Sequence, residues 1–188
     1  MSMIFDLRRI SKDEANALRQ DPADIAAFLH GTEPQEPPTG FLRSLFGGGA
    51  SPKKTRTWQE PAEGMVLSLD KNWHLLHYLL ARDPWEGPMP QATLMGGEPL
   101  GTVDVGYGPA RLIQPEQISD FLAYLHTLNT QTYASDVTSQ ELEEQEIYGA
   151  YPEWTPDDAA ELWAYIEDLK SFFQAATTNN ECIILYLY

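Results

Sequence analysis

The sequence predicts an α+β fold: a single domain in which a small sheet, including the N- and C-terminal strands, is packed by several helices. Three observations predict it. The chain opens on an extended segment, Met3–Ile10, and closes on an apolar run, Cys182–Tyr188. Segments with helical spacing of apolar residues lie between these ends. A chain of 188 residues with 43% hydrophobic content can also build a real core, and a domain of this size buries roughly 70% of its unfolded surface.

The elements follow in order. Met3–Ile10 reads as a strand, with Ile4 in its apolar start and Arg8 and Arg9 near its exit. Ser11-Lys-Asp-Glu14 is a capping box, so a short helix runs to about Arg19. Asp21 and Pro22 restart a second helix as N-cap and first position, with Ile25, Phe28 and Leu29 on its apolar side. Residues 31–57 carry Gly31, Pro34, Pro37, Pro38, Gly40, Gly47–Gly49 and Pro52, a composition that reads as a flexible loop or excursion. Within it, Phe41, Leu45 and Phe46 precede the basic Lys53, Lys54 and Arg56; such a patch is too short to anchor to a membrane well and reads as a turn tucked onto the domain.

Met65–Leu69 is a short strand, and Asp70–Ala81 a helix with Trp73, Leu76, His77 and Leu80 on one face. Glycines 96, 97, 101, 106 and 108 place tight turns around short extended pieces. Ala110–Ile113 is a strand. Pro115 opens a helix carrying Ile118, Phe121, Leu122, Leu125 and Leu128, and a looser acidic helix covers 136–148. Thr155 caps the clearest helix, with Pro156 at its first position, Asp157 and Asp158 at its positive end, and a stripe of Ala159, Leu162, Trp163, Ile166, Leu169 and Phe173 running to about Ala176. Cys182–Tyr188 is apolar throughout and reads as a central strand covered on both faces.

Charge is divided unevenly. Residues 1–82 hold ten acids and ten bases, whereas residues 83–188 hold eighteen acids and two bases, Arg111 and Lys170. The formal net charge of −16 thus falls wholly on the second part. Such a surface repels nucleic acid and anionic membrane and attracts basic partners. No apolar run approaches the roughly 20 residues of a membrane-spanning helix. Asp6, Arg8 and Arg9 interrupt any signal peptide, and a cytoplasmic location is the simplest expectation. One cysteine, Cys182, rules out an internal disulfide and reads as a small core hydrophobe.

Chemistry has few places to reside. Asp70, His74 and His77 are spaced by four and three, which puts all three on one side of the 70–81 helix, where two histidines and a carboxylate can share a metal. No HExxH motif accompanies them, and Trp73 and Leu80 make the same side partly core. Glu98, Asp104 and Arg111 can form a polar cluster around the glycine turns, which lack both the P-loop Lys-Ser/Thr and the GxGxxG spacing. The acidic segment offers a different surface: Glu141, Glu143, Glu144, Glu146, Asp157, Asp158 and Glu161, interleaved with Tyr148, Tyr151 and Trp154. The plain reading is a solvated face; the functional one is a partner-binding surface in which rings anchor and charges steer.

Several blocks together resemble the YfbM-like family, a bacterial domain family of unknown function. They are the Met-Ile opening at 3–4, Leu69-Asp-Lys-Asn-Trp-His-Leu-Leu-His-Tyr-Leu-Leu80, Gly96-Gly-Glu-Pro-Leu-Gly101, Gly106-Tyr-Gly-Pro-Ala-Arg111, Pro115-Glu116, and the late helix with its apolar terminal strand. The resemblance implies a compact α+β domain and carries over no reaction, cofactor or catalytic residue. The leading expectation is a cytoplasmic acidic binding protein of the immunity or inhibitor type, which neutralises a basic toxin domain by direct binding. It calls for no cofactor and no metal. The alternative is a small metal-assisted hydrolase using the Asp70, His74 and His77 helix face with Glu98 or Arg111 nearby.

Overall fold

The computed structural model describes residues 2–31, 57–150 and 153–188. Most of the expected 31–57 excursion, and Tyr151 of the acidic surface, therefore lie outside the described residues. Five strands form one sheet in the order β2-β1-β5-β4-β3, with every neighbouring pair antiparallel. They are β1 (Phe5–Ile10), β2 (Val66–Asp70), β3 (Glu98–Asp104), β4 (Pro109–Ile113) and β5 (Cys182–Leu187). The helices are α1 (Lys12–Gln20), α2 (Ile25–His30), α3 (Trp73–Ala81), α4 (Pro115–Thr127), α5 (Ser139–Glu144) and α6 (Pro156–Asn179). The fold is α+β, with both terminal strands in the sheet.

β5 is central and buried along its length, as its unbroken apolar sequence requires. Its side chains alternate between two cores. Ile183 and Leu185 join Phe5, Leu7 and Leu69 under α3, α4 and α6, in the larger core. Cys182, Ile184 and Tyr186 face Ile10, Ala15, Leu18, Ile25 and Phe28 of the α1–α2 layer. The sheet is thus the middle of three layers. Burial raises the Cys182 thiol pKa, and the residue packs as a small hydrophobe.

The caps form as the sequence specifies. Ser11 and Glu14 make a reciprocal capping box on α1, and Thr155 and Asp158 make another on α6. Four expectations are corrected. Asp21 makes no capping bond through its side chain; Pro22–Asp24 is a 3-10 turn, and α2 begins only at Ile25. The acidic helix is confined to Ser139–Glu144, capped by Thr138. α6 runs one turn past Ala176 and ends where Asn180 adopts a left-handed conformation. Asp70 is not helical: it closes β2 with φ +46°, and α3 starts at Trp73. Its left-handed backbone turns the chain out of the sheet, so an α-helix cannot include it.

Gly106 fixes the turn beside the C-terminal strand. Its φ is +151°, and a Cβ there would lie 2.5 Å from the Tyr188 Cα. Gly64 has φ +78° but open space around its missing Cβ. Gly106→Ala should therefore cost about 2–3 kcal/mol in urea denaturation, against about 1 kcal/mol for Gly64→Ala, because only the first adds a backbone clash to the conformational strain. Equal losses would show that the Gly106 turn yields freely.

Candidate functional site

The histidine helix is a structural element. All nine residues of α3, Trp73 to Ala81, are buried, so this helix has no solvent face. The Nδ1 of His74 accepts from the Tyr148 backbone N–H at 2.9 Å, and its Nε2 lies 2.7 Å from the Pro84 carbonyl. An amide can only donate and a carbonyl can only accept, so the proton sits on Nε2 and both nitrogens are engaged. The His74 ring stacks on Trp73 at 4.8 Å and meets a tilted Trp85 at 4.3 Å. It clamps the segments before Pro84 and Tyr148 onto the helix, and no lone pair remains for a metal. His77 is 0% exposed, and neither ring nitrogen makes a well-formed hydrogen bond; a weak contact with the Glu86 backbone and the Asp83 charge favour its charged form only slightly. Burial first, and then the neighbouring His74, push its pKa down to about 4. With Asp70 on β2 and off the helix, the expected Asp70, His74 and His77 triad does not assemble. No group of three or more metal-ligating side chains occurs among the described residues.

The polar residues of the glycine turns hold backbone. Arg111 donates from Nε to the Gly96 carbonyl at 2.7 Å and from Nη2 to the Gly97 carbonyl at 2.9 Å. Asp104 accepts from the backbone N–H groups of Gly106 and Gly108, which lower its pKa. Glu98 pairs with Arg19 of α1, not with Arg111. These three residues secure the β3–β4 hairpin to its surroundings and converge on no common point.

The acidic segment sorts into two groups. Glu141 accepts from the Tyr78 hydroxyl at 2.5 Å, which helps burial push that tyrosine up to about 12. Asp158 is occupied in the α6 capping box. Tyr148 accepts from the Met3 N–H through its hydroxyl and stacks on Trp73. These three are structural. Glu143, Glu144, Glu146, Asp157 and Glu161 are exposed. Trp154 is half-buried, and its backbone N–H donates to Ser139 Oγ at 2.7 Å, which holds the start of α5 beside the approach to α6.

A cleft of about 450 Å³ lies there, lined by the apolar Ala134, Val137, Trp154, Pro156 and Ala159 and by the polar Thr130, Gln131, Ser135 and Thr155. The Tyr133 hydroxyl donates to the Ala159 carbonyl, joining the cleft's two walls. Burial pushes Tyr133 up to about 12, so it stays a neutral donor. Arg82 holds the far wall through the Tyr133 carbonyl and Asp136, at 2.9 and 2.6 Å. The arrangement offers a largely apolar slot with hydroxyls at its edge, and no titratable side chain is among the described residues that line it.

Comparison with known proteins gives the lineage. The family model described as a domain of unknown function, DUF1877, matches residues 1–186. This chain belongs to that family. Its fold is similar to the crystal structure of YfbM from Escherichia coli, a protein of unknown function, with a TM-score of 0.63 and 16% identity over 98% of this chain and 99% of that one. No curated protein matches. The family resemblance expected from the sequence blocks is thus confirmed, and at this identity the structural match shows the fold alone. No helix among the described residues is long and apolar enough to cross a membrane.

In this member of the family, sequence reasoning passed over Asp6, Arg8, Tyr186 and Tyr188. All four lie on the α1–α2 side of the sheet. The hydroxyls of Tyr186 and Tyr188 both donate to Asp6 Oδ2, at 3.3 and 3.1 Å. The available signal was spacing: Asp6 and Arg8 alternate with apolar Phe5 and Leu7, as Tyr186 and Tyr188 do with Leu185 and Leu187.

His77 makes stability depend on pH. Its folded-state pKa, about 4, lies below the ordinary 6.5, so between these values the unfolded chain binds more protons. The contribution is complete above pH ~6.5 and is lost as pH falls toward 4, to a total of about 3 kcal/mol. The stability difference between the protein and its His77→Leu variant, measured by urea denaturation from pH 7 to pH 4, should shift by about that amount in favour of the variant. A difference that stays constant across the range would mean that His77 is solvated.

Proposed function

We propose that this chain is a binding protein for a basic protein partner, of the immunity or inhibitor kind, and that the partner docks on the Trp154 cleft. One observation carries the reading: the cleft between Ala134–Val137 and Trp154–Ala159 is an apolar slot in the part of the chain that holds the whole net negative charge. Apolar slots flanked by one sign of charge suit an anchor side chain on a partner of opposite sign. Asp157 at the start of α6 and Glu161 one turn on are exposed beside it. Glu143, Glu144 and Glu146 extend the negative surface from α5, which Ser139 fastens to Trp154. The ring of Trp154 supplies apolar contact, and the carboxylates supply long-range attraction.

The two roles separate kinetically. Charge reversal by Glu143→Lys, Glu144→Lys, Asp157→Lys and Glu161→Lys should slow association by about ten-fold or more and flatten its salt dependence. Trp154→Ala should leave association nearly unchanged and speed dissociation by at least about ten-fold. The assay is surface plasmon resonance against the purified products of the neighbouring genes, at low and high salt. If a neighbouring product binds with a rate indifferent to both salt and charge reversal, docking on the acidic cleft is wrong. If none binds, the immunity reading is wrong.

A further inference from the structure

A second cavity lies on the other side of the sheet, away from the acidic helices. It has a volume of about 330 Å³, and its walls include Arg8, Phe28, His30, Trp58, Gln59 and Glu60. All of these belong to the part of the chain whose acids and bases cancel.

Arg8 is the unusual member. It is 4% exposed, projecting from the α1–α2 face of β1. Its guanidinium lies 3.8 Å over the Phe28 ring. Nη1 donates to the Phe28 carbonyl at 2.6 Å, and Nη2 to the Gln59 carbonyl at 3.2 Å. Two of its five N–H donors are thereby used. No carboxylate pairs with it among the described residues. Carbonyl dipoles offset part of the desolvation of a buried cation but do not neutralise its charge. The side chain thus borders a cavity while keeping charge and donor capacity to spare.

Beside it lies a second incompletely satisfied group, of opposite kind. Asp6, two residues back on the same face, is 7% exposed; its Oδ2 holds the Tyr186 and Tyr188 hydroxyls, and its buried Oδ1 has no partner among the described residues. The His30 ring meets those tyrosines edge-on at 6.4 and 6.1 Å, linking the cavity wall to the Asp6 cluster. One face of β1 therefore carries a buried cation and a buried acceptor, both incompletely satisfied, which is unusual in a native interior.

We propose that this cavity binds a small organic ligand through one carboxylate held by Arg8. A planar carboxylate matches the guanidinium fork and supplies a directly paired negative charge, where Glu14 acts only without an ion pair. A single cation, with Glu60 at the wall, suits a monoanion better than a doubly charged phosphate. Phe28 and Trp58, whose rings meet edge-on at 4.8 Å, favour a ligand with a flat apolar body. The volume is at the lower end for small-molecule sites, roughly 300–1,000 Å³, and fits a ligand of one ring.

The test uses benzoate as probe, with benzamide as its neutral isostere and phenyl phosphate as the dianion. The readout is the Trp58 indole resonance of the full chain, assigned with Trp58→Phe. Benzoate should shift that resonance saturably, and benzamide should bind at least about ten-fold more weakly. Arg8→Gln should abolish the benzoate shift while leaving the remaining indole resonances in place. Should Arg8→Gln fail to fold, the contrast between benzoate and benzamide in the unaltered protein decides the matter alone. Equal shifts from both, no saturable shift from benzoate, or tighter binding of phenyl phosphate would each overturn the carboxylate assignment.

Discussion

Everything in this fold rests on the pairing of its two ends. β1 and β5 are joined by a continuous antiparallel ladder from Phe5–Leu187 to Ile10–Cys182. Ile4 and Tyr188 extend it with two further backbone bonds, at 2.8 and 3.0 Å. Arg9 and Glu181 close the far end with an ion pair at 2.7 Å. Bringing together segments this distant in sequence carries a chain-entropy cost that only the burial of both faces of β5 offsets. Once the pair exists, β2 and β4 have edges to join, and each face of the sheet becomes a surface that helices must cover. The helical layers, and both cavities, are consequences of that ladder.

The two layers then take different characters. α3, α4 and α6 cover the side where Phe5, Leu7, Ile183 and Leu185 point, and they form the large apolar core. α1 and α2 pack on the other side, and there β1 presents Asp6 and Arg8, both buried, instead of further aliphatic groups. Polar residues can persist there because the Phe28 and Gln59 carbonyls and the Tyr186 and Tyr188 hydroxyls are within reach. On the thick side, even His74 has been drawn into scaffolding: its two nitrogens fasten the backbone at Pro84 and Tyr148 to the core helix.

Much of the fold is legible in the sequence because the signals are local. The Ser11–Glu14 and Thr155–Asp158 boxes announce helix starts, and the apolar stripes of α4 and α6 announce which side is buried. The start of α3 misleads for a physical reason. Asp70 followed by Lys71 and Asn72 looks like a helix entry, but a left-handed residue at Asp70 has no sequence signature beyond a modest tolerance of Asp for that region. That single dihedral removes the carboxylate from the histidine helix, and with both His74 nitrogens engaged the helix face of the alternative reading does not form. The run Leu75, Leu76, Leu79 and Leu80 carries the complementary clue, since a helix apolar on more than one side is buried all round. Arg8 is illegible by local reasoning. Its meaning depends on the carbonyls of Phe28 and Gln59, which reach it through tertiary structure alone.

The division of charge acquires a structural sense from this. The second part of the chain supplies α4, α5 and α6, and its helices carry carboxylates outward on the thick side of the sheet. The first part supplies β1, α1 and α2, where acids and bases balance and Arg8 keeps a local positive charge inside. A strongly negative surface repels small anions over about a Debye length, roughly 8 Å at physiological salt. A carboxylate site is therefore compatible with this protein only where the sheet and its balanced layer separate it from the acidic helices, which is where Arg8 lies. The same separation leaves the outer face a field of a single sign, because all but two of the basic residues lie in the first part of the chain.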